Sequence, residues 1–167
     1  MRDISDAWHT DPVTLRDVAL DPEALESALA NDVTLLERVR YLALLNRGSD
    51  ALREGLRQQE DSLDRTELLL VLAQVFHRQH RWHEAAVLQQ EALQLATTRL
   101  EEATVRHHIG RRLFNEARYR DAAAEFQWAS DLFRTTGRHE QAERSRQAME
   151  HSRHLLHQNH RGNGTAS

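Results

Sequence analysis

Histidine is the residue whose type and spacing come closest to a chemical site in this chain. Eleven of the 167 residues are histidine, and a set near the C-terminus recurs every three residues, at His151, His154, His157 and His160. Side chains three apart are neighbours on a helix, where imidazoles can share a metal ion. Histidines that only solvate a polar helix face produce the same spacing, and no carboxylate or cysteine stands at a confirming position. We therefore predict no metal site and no cofactor, and leave open adventitious binding of nickel or zinc.

Catalytic motifs are absent from the sequence. A glutamate follows both His83 and His139, as in zinc hydrolases, but Val87 and Glu143 occupy the positions where a second histidine is required. The chain has no cysteine nucleophile, no lysine for a Schiff base or a phosphate loop, and no Gly-x-Ser-x-Gly elbow. We predict that the protein is not an enzyme.

Charge is distributed unevenly around a net value of −4. Residues 1–65 hold 14 acidic residues and 8 arginines, residues 66–136 hold 9 of each, and residues 137–167 hold 3 and 5. Because no basic field covers the chain as a whole, we predict that it does not bind nucleic acid.

The sequence predicts neither a membrane segment nor an export signal. No stretch approaches the roughly 18 apolar residues that a membrane span needs, and the N-terminus lacks an apolar core flanked by basic residues. All 22 basic residues are arginine, which indicates codon bias in a GC-rich genome. We expect a bacterial, cytoplasmic protein without a membrane partner.

Hydrophobic spacing and composition predict an all-α protein. Only Pro12 and Pro22 interrupt residues that favour helices. Each proline follows an aspartate, a pattern typical of helix starts, so one or two short helices are expected within 12–30. Two more helices are expected between 31 and 60, joined by a turn and a new helix cap at 47–50.

An internal repeat dominates the remaining chain. Each copy consists of two amphipathic helices joined by a polar turn, and seven positions of one copy recur 37 residues later. The seven are Leu72, Ala73, Phe76, Trp82, Ala85, Ala92 and Leu95, which correspond to Ile109, Gly110, Leu113, Tyr119, Ala122, Ala129 and Leu132. A weaker echo at 34 residues indicates a third, degenerate copy upstream. Its pairs are Leu35 with Leu69, Leu42 with Phe76 and Ala51 with Ala85. The longer spacing then implies three extra residues near 97–102, in a helix or its connecting turn.

These residues resemble the tetratricopeptide repeat (TPR) family. Its pattern is a bulky residue, Leu-Gly and an aromatic in the first helix, then Ala, an aromatic and Ala in the second. The matching residues are Leu69, Leu72, Ala73, Phe76, Trp82, Ala85 and Ala92 in one copy, and Ile109, Gly110, Leu113, Tyr119, Ala122, Phe126 and Ala129 in the next. Gln89 and Arg106 depart from the pattern, and no proline closes either copy. An irregular bundle of Leu/Ala helices is the alternative.

The resemblance implies a short right-handed α-solenoid of about three TPR-like helical hairpins. An acidic helical segment would occupy 1–31, and the repeat domain would span 32–157. Within it, the copies would lie near 32–65, 66–99 and 103–136, followed by a capping helix at 138–157. A disordered tail is expected at 158–167.

The resemblance also implies a concave groove that binds a segment of another protein. The residues expected to line it are Arg40, Leu70, Gln74, His77, Arg78, His107, Arg111, Asn115 and Arg144. Because arginine suits carboxylates, an acidic peptide or helix is a reasonable ligand, although arginine-rich solvent faces are common. Arg40, Gln74 and Arg111 replace the asparagines of the family's carboxylate clamp, which disfavours a chaperone-tail adaptor.

Two alternatives to this adaptor or scaffold function remain. The protein could be a self-associating structural or regulatory subunit, because Trp8 and Trp128 lie outside the repeat pattern and could mediate contact with a second copy. The size of the chain and its three repeats also resemble type III secretion chaperones, at the level of architecture only.

Overall fold

Helices build most of the protein. The computed structural model describes residues 4–162, and eight α-helices account for most of that range. Their bounds are α1 Pro22–Leu29, α2 Leu35–Leu44, α3 Gly48–Gln58, α4 Arg65–Arg78, α5 Trp82–Leu95, α6 Arg99–Asn115, α7 Tyr119–Thr135 and α8 His139–Gly162. None of the helices in the described range combines the length and the apolar character needed to cross a membrane.

The N-terminal segment differs from its prediction, because a β-hairpin replaces the first expected helix. Strands β1 Trp8–Thr10 and β2 Asp17–Ala19 pair antiparallel, after a short 3₁₀ turn. Asp11 accepts hydrogen bonds from the Val13 N–H and the Thr14 hydroxyl, so its carboxylate closes a turn rather than capping a helix. These bonds lower the pKa of Asp11.

The second expected helix of this segment is confirmed. The Asp21 carboxylate accepts a 3.0 Å hydrogen bond from the Ala24 N–H, and Pro22 stands in the first turn of α1. An aspartate before a proline therefore has two outcomes in one segment. The Ala, Leu and Glu residues after Pro22 favour a helix, whereas the β-branched Val13, Thr14 and Val18 after Pro12 favour extended backbone.

The chain divides into two compact units, Met1–Ala92 (unit 1) and Leu93–Ser167 (unit 2). In unit 1 the N-terminal segment packs on α1 and α2 around a small apolar cluster. The buried members are Ala7, Leu25, Tyr41 and Leu44. The N-terminal segment is thus part of the unit's core.

Helix α3 packs closely against α4 in antiparallel order. A Cβ built on Gly55 would lie 2.6 Å from a Leu72 methyl group, and one on Gly48 would lie 3.0 Å from a Val75 methyl. A Cβ at either position would require the Leu72 or Val75 side chain to shift, so glycine allows the two helices to approach closely. Helix α2 contacts α4 in parallel order instead, as Arg40 meets Glu67 and Ala43 meets Arg78.

Unit 2 repeats this arrangement. Helices α6 and α8 run parallel: His107 pairs with Ser145, and Phe114 stacks on His151 one to two turns further along both helices. Helix α7 runs against both and contributes Ala129 and Phe133 to the core. Each unit therefore contains two parallel helices with an antiparallel helix packed on them.

One turn geometry occurs four times. A helix ends at a residue of left-handed backbone, and the N–H of the following arginine donates to a carbonyl five residues earlier. The left-handed residues have φ between 58° and 74° and are Asn46, His80, Ala117 and Gly137. The donor–acceptor pairs, at 2.8–2.9 Å, are Arg47 with Leu42, Arg81 with Phe76, Arg118 with Leu113, and Arg138 with Phe133. Each is a Schellman motif, which satisfies carbonyls at the helix end.

The next helix begins with the same contacts after each turn. The fourth residue of that helix is an alanine whose N–H donates to the backbone carbonyl of the arginine that follows the left-handed residue. All four alanines are buried: Ala51, Ala85, Ala122 and Ala142.

The predicted cap at 47–50 is wrong in detail, because Arg47 precedes α3 without a side-chain cap. Asp50 instead pairs with Arg47 and Arg53, which lower its pKa.

The three extra residues predicted by the 37-residue spacing lie within α6. Helix α4 has 14 residues and α6 has 17, while their first residues, Arg65 and Arg99, are 34 apart. The helix, rather than the turn, contains the insertion.

At the C-terminus, α8 continues to Gly162, so residues 158–162 are helical and not disordered. The remainder of the predicted tail, 163–167, lies outside the described residues.

Candidate ligand-binding surface

The nine residues predicted to line a groove belong to both units. Five lie on α2 and α4 of unit 1, and four lie on α6 and α8 of unit 2. The unit 1 residues are Arg40, Leu70, Gln74, His77 and Arg78; the unit 2 residues are His107, Arg111, Asn115 and Arg144.

Arg40 interacts with the protein's own N-terminal segment. Its guanidinium lies 5.8 Å from the centre of the Trp8 ring, a cation–π distance. It also lies 3.6 Å from the Glu67 carboxylate of α4. An exposed pair of this kind contributes little to stability, but the tryptophan covers part of the arginine.

Arg78 joins three elements of unit 1. Its guanidinium donates to the carbonyl of Ala43 at the end of α2, at 3.1 Å, and to the carbonyl of Asp17 in β2. Arg40 and Arg78 therefore both contact residues of the N-terminal hairpin. Sequence reasoning missed this role, because the acceptors are backbone carbonyls far away in the chain.

Leu70 and His77 present almost no surface to a ligand, being only 2% and 5% exposed. Helix α4 is apolar on nearly all sides and most of its residues are buried, so the expected exposure of these two side chains is not seen. The His77 ring packs 5.3 Å from Trp82 at the start of α5. Gln74 is partly exposed.

His107 connects α6 to α8 in unit 2. Its Nδ1 lies 2.9 Å from the Ser145 hydroxyl, which is fully buried, and its ring packs 5.3 Å from Phe126. Gly110, one turn along α6, lets the Phe126 ring approach the helix, because a Cβ there would lie 2.7 Å from the ring. His107 is therefore partly a packing residue.

The other three unit 2 residues differ in exposure. Arg111 is 7% exposed, so little of it is available, and its carbonyl accepts a 2.9 Å hydrogen bond from the Asn115 amide. Arg144 is the most accessible, with its side chain 69% exposed and paired to Glu140 at 2.5 Å.

The exposed side of α8 also carries charges that pair along the helix. Arg146 bonds to Glu143, one turn earlier, and to Glu150, one turn later. The Arg146 guanidinium and the Gln147 amide lower the pKa of Glu143 to about 2. Glu143 therefore remains ionised and paired across the physiological pH range.

A second surface, on α7, contains an exposed aromatic residue. Trp128 is 50% exposed, and the Arg106 guanidinium of α6 lies 3.3 Å above its ring. Arg106 in turn pairs with Glu102 at 2.7 Å and with Glu125 at 3.1 Å. Two features of the sequence indicated this surface. Trp128 lies outside the repeat pattern, and Arg106 occupies a position where the repeat usually has a bulky apolar residue.

The histidines are spread among packing and surface positions. Among the side chains of residues 4–159, the structure brings together no group of three or more His, Asp or Glu that could hold a metal ion. Of the C-terminal histidines, His151 stacks on Phe114 and His154 contacts the Gln158 amide.

Comparisons of the chain with protein-family models, with curated proteins and with solved structures found no match.

Proposed function

We propose that this chain is a non-catalytic, TPR-like helical-repeat protein that binds a segment of another protein. The observation that carries the proposal is the Schellman turn that occurs four times, each time with an arginine after it and a buried alanine in the next helix. Repetition of one turn and one close contact is the signature of stacked helical units.

The arrangement of helices in each unit supports the same proposal. In a TPR-like array the first helices of successive hairpins run parallel, and each second helix runs against them. Helices α2, α3 and α4 have these directions in unit 1, and α6, α7 and α8 have them in unit 2. The close approaches of α3 to α4 and of α6 to α7 both use a glycine, Gly55 and Gly110.

The binding surface that we propose lies on α6 and α8 of unit 2. The corresponding face of unit 1 is less available, because the N-terminal hairpin contacts both Arg40 and Arg78. Arg144 has most of its side chain in solvent, and its only ion pair among the described residues is an exposed one within α8. Its planar fork suits a carboxylate, which favours an acidic or amphipathic segment as the partner.

Site-specific photo-crosslinking in the native cells tests this proposal without knowledge of the partner. A photoreactive residue replaces Arg144 in one variant and Arg53 in the control. Arg53 is 65% exposed and pairs with an acidic residue one turn earlier, as Arg144 does, but it lies on α3, outside the proposed face. We expect a crosslinked protein other than this chain at position 144 and none at 53. Equal crosslinking, or none at either position, would contradict the proposed surface.

A further inference from the structure

The exposed side of α7 contains an open cleft of about 600 Å³ in unit 2. Its lining combines Trp128 and Leu132 with polar and charged side chains; the others are Arg99, Ala124, Gln127, Asp131, Thr135 and Arg153. This volume is in the range of binding clefts and accommodates a few side chains.

The tryptophan in this cleft is held in place before any ligand arrives. Arg106 covers one part of its ring at 3.3 Å, and the carboxylates of Glu102 and Glu125 fix the arginine. Half of the tryptophan remains exposed. A preorganised aromatic side chain is typical of the residues that contribute most to an interface, because little conformational entropy is lost on binding.

The charge of the cleft is positive. Arg99 and Arg153 are exposed, and neither guanidinium forms an ion pair or hydrogen bond with another residue of the range 4–159. The acidic lining residue, Asp131, is already paired with Arg134. The cleft therefore offers two unpaired guanidinium groups beside an aromatic anchor, which suits an acidic surface with apolar side chains.

Unit 1 presents a surface of that chemistry. Residues 1–31 hold seven acidic residues and two arginines, a net charge of −5. The hairpin and the residue after it expose Val13, Val18 and Leu20, at 65%, 41% and 57%. Over the whole units, 17 acidic residues and 10 arginines give unit 1 a charge of −7, and 9 and 12 give unit 2 a charge of +3.

We propose that the α7 cleft receives the N-terminal hairpin of a second copy of this chain. Trp128 and Leu132 meet the exposed Val13 and Leu20, while Arg99 and Arg153 face the acidic segment. The contact is head-to-tail, since it joins two different surfaces. A bound pair leaves one hairpin and one cleft unused, so association continues beyond the dimer or closes into a ring.

Analytical ultracentrifugation of the full-length wild type and three variants tests this inference. The cleft variant is Arg99→Glu with Arg153→Glu, and the hairpin variant is Val13→Arg with Leu20→Arg. All four side chains are exposed, and circular dichroism verifies that each variant retains its helices. Trp128→Ala provides a second cleft variant that leaves the charges unchanged.

The wild-type mass is expected to rise with concentration beyond two copies of 19.4 kDa, and to fall as salt screens the charges. Each variant alone is expected to remain monomeric. An equal mixture of the cleft and hairpin variants is expected to form a dimer and nothing larger, because one intact cleft meets one intact hairpin. Wild-type protein that stays monomeric, variants that associate like the wild type, or a mixture that stays monomeric would each overturn the proposal.

Discussion

At the residue scale, the left-handed residues of the four Schellman turns show that one turn geometry accepts several residue types. Gly137 has no Cβ to oppose this backbone, and Asn46 and His80 belong to types that adopt it more often than most, whereas Ala117 does not. The hydrogen bonds of the turn are the same in all four cases. A search of the sequence for glycine or asparagine at helix ends would therefore have found only two of these four turns.

Replacement of Ala117 by glycine should stabilise the protein. Ala117 has a φ of 59°, where alanine is strained and glycine is not. We expect Ala117→Gly to raise the free energy of unfolding by about 0.5–1 kcal/mol. The matched control is Ala124→Gly on the exposed side of α7, which should lower it by about 1 kcal/mol. Chemical denaturation of both variants measures the difference, and a destabilised Ala117→Gly would show that the backbone is not left-handed there.

The close approach of α6 to α7 depends on Gly110. The added methyl group of Gly110→Ala would lie 2.7 Å from the ring of Phe126, which is fully buried and cannot move aside. We expect a loss of about 1–3 kcal/mol in the free energy of unfolding. The loss should be smaller in a Phe126→Leu background, where the methyl group has room. Equal losses in both backgrounds would indicate that the two residues do not touch.

At the element scale, local sequence predicted the helices well and the N-terminal segment poorly. The amphipathic spacing and the 34-residue period predicted the helical pairs and the extra residues of α6. Pro12 and Pro22 both follow an aspartate, but only the second begins a helix. At Pro12 the Asp11 carboxylate closes a turn instead, and the Asp-Pro pair alone does not distinguish such a turn from a helix start.

The candidate site was harder to predict, because long-range contacts determine which side chains are available. Arg78 donates to carbonyls 35 and 61 residues away, and Arg40 lies over the ring of Trp8, which is 32 residues earlier in the chain. Helical spacing places both on a helix face but cannot reveal what covers that face. Trp128 was recognisable only as an exception to the repeat.

Helices α2 and α6 begin with the same capping box. Thr98 accepts from the Glu101 N–H at 3.2 Å, and Glu101 accepts from the Thr98 N–H at 2.9 Å; Thr34 and Glu37 do the same for α2. The Thr97 N–H, at 2.8 Å, and the Thr98 N–H both donate to the Glu101 carboxylate and lower its pKa below its usual 4.5. Loss of the hydroxyl in Thr98→Ala should cost about 1 kcal/mol of stability.

The contribution of the Glu101 charge should depend on pH. Because its pKa is lower in the folded protein, the ionised carboxylate stabilises the fold fully above pH 4.5, and this stabilisation is lost as the pH falls through the folded pKa. Glu101→Gln should therefore be less stable than the wild type at pH 7 and equally stable in strong acid. Thermal unfolding over this pH range measures the difference, and a constant difference would contradict the capping role.

At the scale of the whole molecule, two units of opposite charge share one construction. Each has two parallel helices and an antiparallel helix packed on them, but unit 1 also carries the acidic N-terminal hairpin. The hairpin contacts the basic side chains that a repeat protein would offer to a partner. We therefore expect the two units to have different binding roles, with partner binding on α6 and α8 and self-association through the hairpin and the α7 cleft.

Binding of a segment of another protein to α6 and α8 can be measured with the partner recovered by crosslinking at position 144. Titration calorimetry gives its affinity for purified wild type, Arg144→Glu and the control Arg53→Glu. We expect a Kd at least about tenfold weaker for Arg144→Glu, a loss of about 1.4 kcal/mol, and an unchanged Kd for Arg53→Glu. The same Kd for all three proteins would show that the partner does not bind on this face.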